Sequence, residues 1–245
     1  MTDSILGSLD TGSATAIDSD DLGGSLFGVL PSDIYAFLIS EAYIKVSAAG
    51  AVGIHLVLKE GAEGEGRVLE NTLYIQGKNK KSFYINGKGK EVVLPSYTLM
   101  DSLCEIVTGE SIRSMTTKKM IVETYNFDTK AREPVQVDML DKLIGKHVYA
   151  AVQMQIVNKS VKNDQGVYVE IDETRESNEI MKFFRAKDKK TITEIKADTA
   201  DDAAFYHTWL AQWQGKTNDR SKKSNPAPTA GPAGTPASGV VSIFT

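Results

Sequence analysis

Along much of residues 39–157 apolar and polar side chains alternate, the period of a strand with one buried face. In residues 39–47, Ala42, Ile44 and Val46 fall on one side and Tyr43, Lys45 and Ser47 on the other. Residues 53–59 aim Ile54, Leu56 and Leu58 one way. Residues 67–76 place Leu69, Leu73 and Ile75 inward, with Glu70, Thr72, Tyr74 and Gln76 outward. Shorter runs at 82–86, 120–127 and 167–171 read as strands, and 146–157 is the clearest, with Val148, Ala150, Val152, Met154 and Ile156 on one face. Two stretches switch to a helical period. At 95–108, Leu99, Leu103, Ile106 and Val107 share a face, with Ser96 as cap and Gly109 as stop. At 198–214, Thr199 caps, Asp201 and Asp202 occupy the first turn, and Phe205, Trp209 and Trp213 recur at i, i+4, i+8.

These elements predict a mainly β chain with minor α, an OB-like Greek-key barrel with one or two helices over residues 36–215. The flanks differ in kind. Residues 1–35 are rich in Ser, Gly, Asp and Thr and bury too little to offset their ordering entropy, which predicts a flexible arm. That arm is acidic, since residues 1–40 hold six Asp and no Lys or Arg. Residues 216–245 form a Pro/Ala/Gly-rich tail, basic at its start and apolar at its tip, Val240-Val241-Ser242-Ile243-Phe244. Such a tip reads equally as a partner-docking peptide and as a terminus that packs back. The net charge of -4 conceals this asymmetry and leaves the middle nearly balanced. Any basic surface there must come from local clustering.

One cysteine, Cys104, excludes an intrachain disulfide. No signal peptide and no run of 18 apolar residues is present, so the expectation is a cytoplasmic protein without membrane contact. His55, His147 and His207 lack partners at metal-ligand spacing. Gly61, Gly64 and Gly66 are not followed by the Lys-Ser/Thr of a phosphate loop, and no nucleophile motif occurs. The sequence therefore predicts a non-enzymatic protein without metal or cofactor.

The informative feature is the set of tyrosines on the polar faces of the strands. Tyr43 lies beside Lys45, Tyr74 between Thr72 and Gln76, Tyr84 with Ser82 and Asn86, and Tyr149 with His147 and Gln153. Lysines cluster alongside: Lys78, Lys80 and Lys81 in one glycine-led turn, Lys88 and Lys90 in the next, and Lys146 ahead of the longest strand. Exposed rings stack on bases, and lysines attract phosphates, so these eleven residues are the candidate surface for single-stranded DNA. Taken singly, each tyrosine is better explained as half-buried packing, because Tyr is at home in strands. The coincidence across four strands favours binding.

The runs Ala42-Tyr43-Ile44-Lys45, Gly53-Ile54-His55-Leu56, residues 66–75 and Leu143-Ile144-Gly145-Lys146 resemble bacteriophage single-stranded-DNA-binding proteins with an OB fold, most like those of N4-like phages. The resemblance covers roughly residues 40–185 and lies more in the order of elements than in a signature. It implies sequence-tolerant single-stranded DNA binding in replication and recombination, in the cytoplasm of an infected host. It also implies a second role, recruitment of a phage RNA polymerase to promoters, with polymerase or replication proteins as partners through the terminal arms. Many such proteins end in an acidic tail, whereas here the acidic arm is N-terminal and the C-terminus is apolar. A third reading, a protein–protein adaptor or virion component that binds no nucleic acid, stays open. Oligomeric state is not legible.

Overall fold

A computed structural model describes residues 28–126, 129–163, 168–198 and 203–222. Three long strands open the fold as an antiparallel meander: β1 (Asp33–Val46), β2 (Val52–Glu60) and β3 (Val68–Gln76). A small separate ribbon, β4 (Phe83–Ile85) and β5 (Glu91–Val93), leads into helix α1 (Pro95–Thr108). Next comes a hairpin, β6 (Lys118–Asn126) and β7 (Ala131–Met139), then the long pair β8 (His147–Lys162) and β9 (Tyr168–Arg185). Two helices, α2 (Ile192–Lys196) and α3 (Ala204–Trp213), and a short strand β10 (Thr217–Asp219) complete it. The chain is thus mainly β with minor α, with three α-helices among the described residues.

The main sheet runs β10-β8-β1-β2-β3, with β9 on β8 and the β6–β7 hairpin joined to β1 through Tyr43 and Met139. Meander, helix and returning strand pair follow the expected order, but the sheet is not closed: no ladder joins β3 to β9. Helix α1 presents Pro95, Ser96 and Leu99 to that seam, beside a crevice of about 260 Å³ between Asn71–Leu73 and Glu179–Met181.

A bulge in β1 organises the core. The pairing with β2 shifts between Ile39 and Glu41, so inward positions change from Phe37 and Ile39 before it to Ala42 after it. These side chains meet Leu56, Leu58, Val148, Phe183 and the α1 residues Met100 and Leu103 in one buried cluster. Val46, read as inward, is 60% exposed at the end of β1. Proline rather than a Ser96 cap starts α1: Pro95 stands at its beginning and Leu94 caps without a side-chain hydrogen bond. Gly109 ends it in the left-handed conformation, its N–H donating to the Glu105 carbonyl.

Both domain boundaries lie further out than expected. Leu30 is buried, and the Asn178 amide grips its backbone with two hydrogen bonds of 2.7 Å. At the other end β10 pairs in parallel with β8, and Asn158 holds the Lys222 backbone. The expected acidic segment before residue 28 and apolar tip after 222 lie outside the described residues, as do Thr199, Asp201 and Asp202, which were expected to begin the late helix. Among the described residues no helix is long and apolar enough to cross a membrane.

Cys104 sits in α1 fully buried, and burial pushes its thiol up to about 12. A disulfide reagent is therefore expected to label it only after denaturant is added. Stoichiometric labelling of the native protein within seconds would contradict this placement of α1.

Candidate nucleic-acid interface

The polar side of the meander forms an ordered array. Ladder register sets Lys45 against Gly53 and Gly53 against Tyr74, and in the next row Tyr43 against His55 and His55 against Thr72. Gly53 matters here because a β-carbon at that position would lie 2.8 Å from Thr72 Cγ2 and 3.2 Å from the Tyr74 ring. Its bare backbone gives the tyrosine room to lie across the sheet. Tyr74 is 43% exposed.

The β6–β7 hairpin stands over the other end of this face. Between hairpin and sheet runs a cleft of about 430 Å³ whose walls include Tyr43, His55, Tyr125 and Arg132. Tyr125, half exposed, sits opposite Arg132 in the hairpin ladder. Lys45 and Lys59 add positive charge to the walls, and Glu41, Glu70 and Glu123 add negative charge. The cleft is therefore close to neutral, with aromatic rings between its charges.

Local contacts set the state of these groups. His55 packs against Tyr43 with ring centroids 5.0 Å apart and planes tilted by 48°, and pairs through Nδ1 with Thr72 Oγ1 at 3.0 Å. Burial, and then Lys45, hold its pKa below the usual histidine range against the opposing pull of Glu70, so the ring is neutral at neutral pH. Burial and the neighbouring Glu70 carboxylate raise the pKa of Glu41.

Past Tyr74 the chain turns through Lys78, Lys80 and Lys81, all exposed. Two backbone bonds between Gly77 and the Lys80–Lys81 end close this turn, and Asn79 Oδ1 accepts from the Lys81 N–H. Lys81 lies over the Phe83 ring at 5.0 Å. Exposed Tyr84, Lys88 and Lys90 belong to the β4–β5 ribbon, which pairs with no strand of the main sheet.

The structure thus brings Tyr43, Lys45 and Tyr74 onto one face and continues it through Lys78, Lys80 and Lys81. It alters the part played by two tyrosines. Tyr43 is 5% exposed because the hairpin residues Val122, Val137 and Met139 cover it, so it forms the floor of the cleft rather than an open stacking platform. Tyr149 packs beneath α3, edge-on to Tyr206 at 6.2 Å, with the Lys189 ammonium over its ring. Lys146 is exposed at the foot of β8, while its carbonyl accepts from the Ile39 N–H. Sequence reasoning missed Tyr125, Arg132 and Lys59. Arg132 was hidden with β7, whereas Tyr125 and the half-buried Lys59 stand in runs that read as strands.

No family model matches the chain, and no curated protein matches it in sequence.

Proposed function

We propose that the protein binds single-stranded DNA with little sequence preference, along the outer face of β1–β3. The observation that carries this reading is the row of Lys45, Gly53 and Tyr74 continuing into the cleft beneath Tyr125 and Arg132. Exposed rings on that path take base faces at about 1–3 kcal/mol each. Lys45, Lys59, Arg132 and the Lys78–Lys81 turn take phosphates along its rim. The carboxylates of Glu41, Glu70 and Glu123 repel phosphate from the cleft, so the bases point inward and the backbone stays outside. A duplex cannot use such a surface, because its bases are already stacked on each other.

In an infected cell this activity serves phage DNA replication and recombination. Recruitment of a phage RNA polymerase is the second role that the resemblance implies, read out by pull-down of the polymerase with the full chain. A gel shift with a single-stranded oligonucleotide tests the common core of both, and no shift at low salt would favour the protein–protein adaptor.

The lysine turn supplies a sharper check. Lys80→Ala or Lys81→Ala is expected to weaken binding less than loss of a stacking tyrosine. It is also expected to flatten the dependence of log affinity on log salt by about 0.7 per lost contact. An unchanged slope in both variants would remove this turn from the phosphate path.

A further inference from the structure

We propose that the outer edge of β6 pairs antiparallel with the same edge of a second copy of this chain, giving a twofold dimer. β6 spends one edge entirely on β7, from Lys118 opposite Met139 to Asn126 opposite Ala131. Among the described residues no other strand pairs with it, so its second edge offers backbone groups without a strand partner from Lys118 to Thr124. Such an edge is a template for another strand unless something opposes pairing.

The side chains select which strand is admitted. When two copies of β6 run antiparallel about Ile121, residues equally distant from it face each other. Lys119 then meets Glu123 of the second copy, and Glu123 meets the second copy's Lys119, two opposite-charge pairs from one symmetry operation. Met120 meets Val122, and Ile121 meets itself. Ile121 is 70% exposed, the highest value among the exposed large apolar side chains described. Centring the pair on Met120 or on Val122 sets Lys119 against Ile121 or Tyr125 and loses both charge pairs. Lysines on an edge normally keep foreign strands away. Here Glu123 makes the same charges attractive toward a second copy alone.

Lys119 already bonds Asp138 across the hairpin at 2.8 Å. In the dimer its ammonium lies between two carboxylates. Both Lys119 and Glu123 are exposed, so replacing them leaves the fold intact.

Sedimentation equilibrium on the full chain tests the proposal, from about 1 μM to about 1 mM, the range of weak association. The wild type is expected to dimerise with rising concentration. Lys119→Glu alone and Glu123→Lys alone each place like charges face to face twice. Each should weaken the dimer by at least about tenfold. An equimolar mixture of the two variants should restore it, because every facing pair is then opposite in charge. Circular dichroism confirms that each variant is folded. A wild type monomeric throughout, single variants that dimerise like the wild type, or a mixture that stays monomeric would each overturn the proposal. Mass is the readout, so such a failure leaves the single-strand reading untouched.

Discussion

Phe183→Ala is expected to lower stability by about 3–5 kcal/mol, the cost of removing a fully enclosed ring that its surroundings cannot refill. Phe183 lies on β9, is 0% exposed, and shares the main buried cluster with Phe37, Met100 and Leu103. Its strand is held by β8 on one side only, since the seam toward β3 carries no ladder. The ring therefore does more than fill volume: it helps bind β9 to α1, and α1 to the meander. Against a total stability of about 5–15 kcal/mol, this single change consumes a large share. Urea unfolding followed by circular dichroism measures it, and a loss under about 1 kcal/mol would mean that β9 is not part of this core.

Tyr74→Ala is expected to weaken single-stranded DNA binding by about 1–3 kcal/mol while leaving stability and the salt slope nearly unchanged. The ring lies on the polar side of β3 above Gly53, and the core beneath is already supplied by Leu69 and Leu73. Tyr149→Ala should behave in the opposite way. Its ring fills the space between β8 and α3 against Tyr206, so its loss should lower stability and leave affinity unchanged. The two variants separate stacking from packing, since both remove the same side chain from a polar strand face. If Tyr74→Ala unfolds the protein, or Tyr149→Ala alone loses affinity, the assignment of faces is inverted.

That contrast shows what the sequence could reveal. The alternation of β3 reports one buried and one open face, and that pattern survives in the structure because a single core decides it; on β2 the second face is covered too, with Val57 buried. Tyr43 and Tyr149 obey the same alternation and are nonetheless covered, one by the β6–β7 hairpin and the other by α3. Those covers come from segments roughly 50 or more residues away, and periodicity carries no information about them. Within β1 the bulge beside Ser40 breaks the alternation, so residues 33–38 did not read as the start of the same strand.

The rest was hidden for local reasons. β7 contains Pro134, which argues against a strand. The Arg132-Glu133-Pro134 stretch also interrupts the apolar spacing of Val135, Val137 and Met139. Only the first residues of β9 were legible, because much of its first half pairs with β8 alone and has no buried face to impose a period. One missed element did leave a signature: Thr191 and Glu194 form a reciprocal capping box at the start of α2, and T-x-x-E is readable in the sequence. Of the stripe assigned to the last helix, Trp209 is buried and Trp213 packs partly buried against the same cluster, and only Phe205 was misplaced. Tyr206 and Trp209 are the buried residues, while Phe205 stays 43% exposed beside Lys182.

The most direct test of the account is fluorescence anisotropy with the full chain and matched single- and double-stranded oligonucleotides at one fixed salt concentration. Stacking of exposed tyrosines on unpaired bases predicts at least about fivefold tighter binding to the single strand, since even one base gained at about 1–3 kcal/mol gives that ratio. Equal affinity for the two forms would contradict the stacking face on β1–β3.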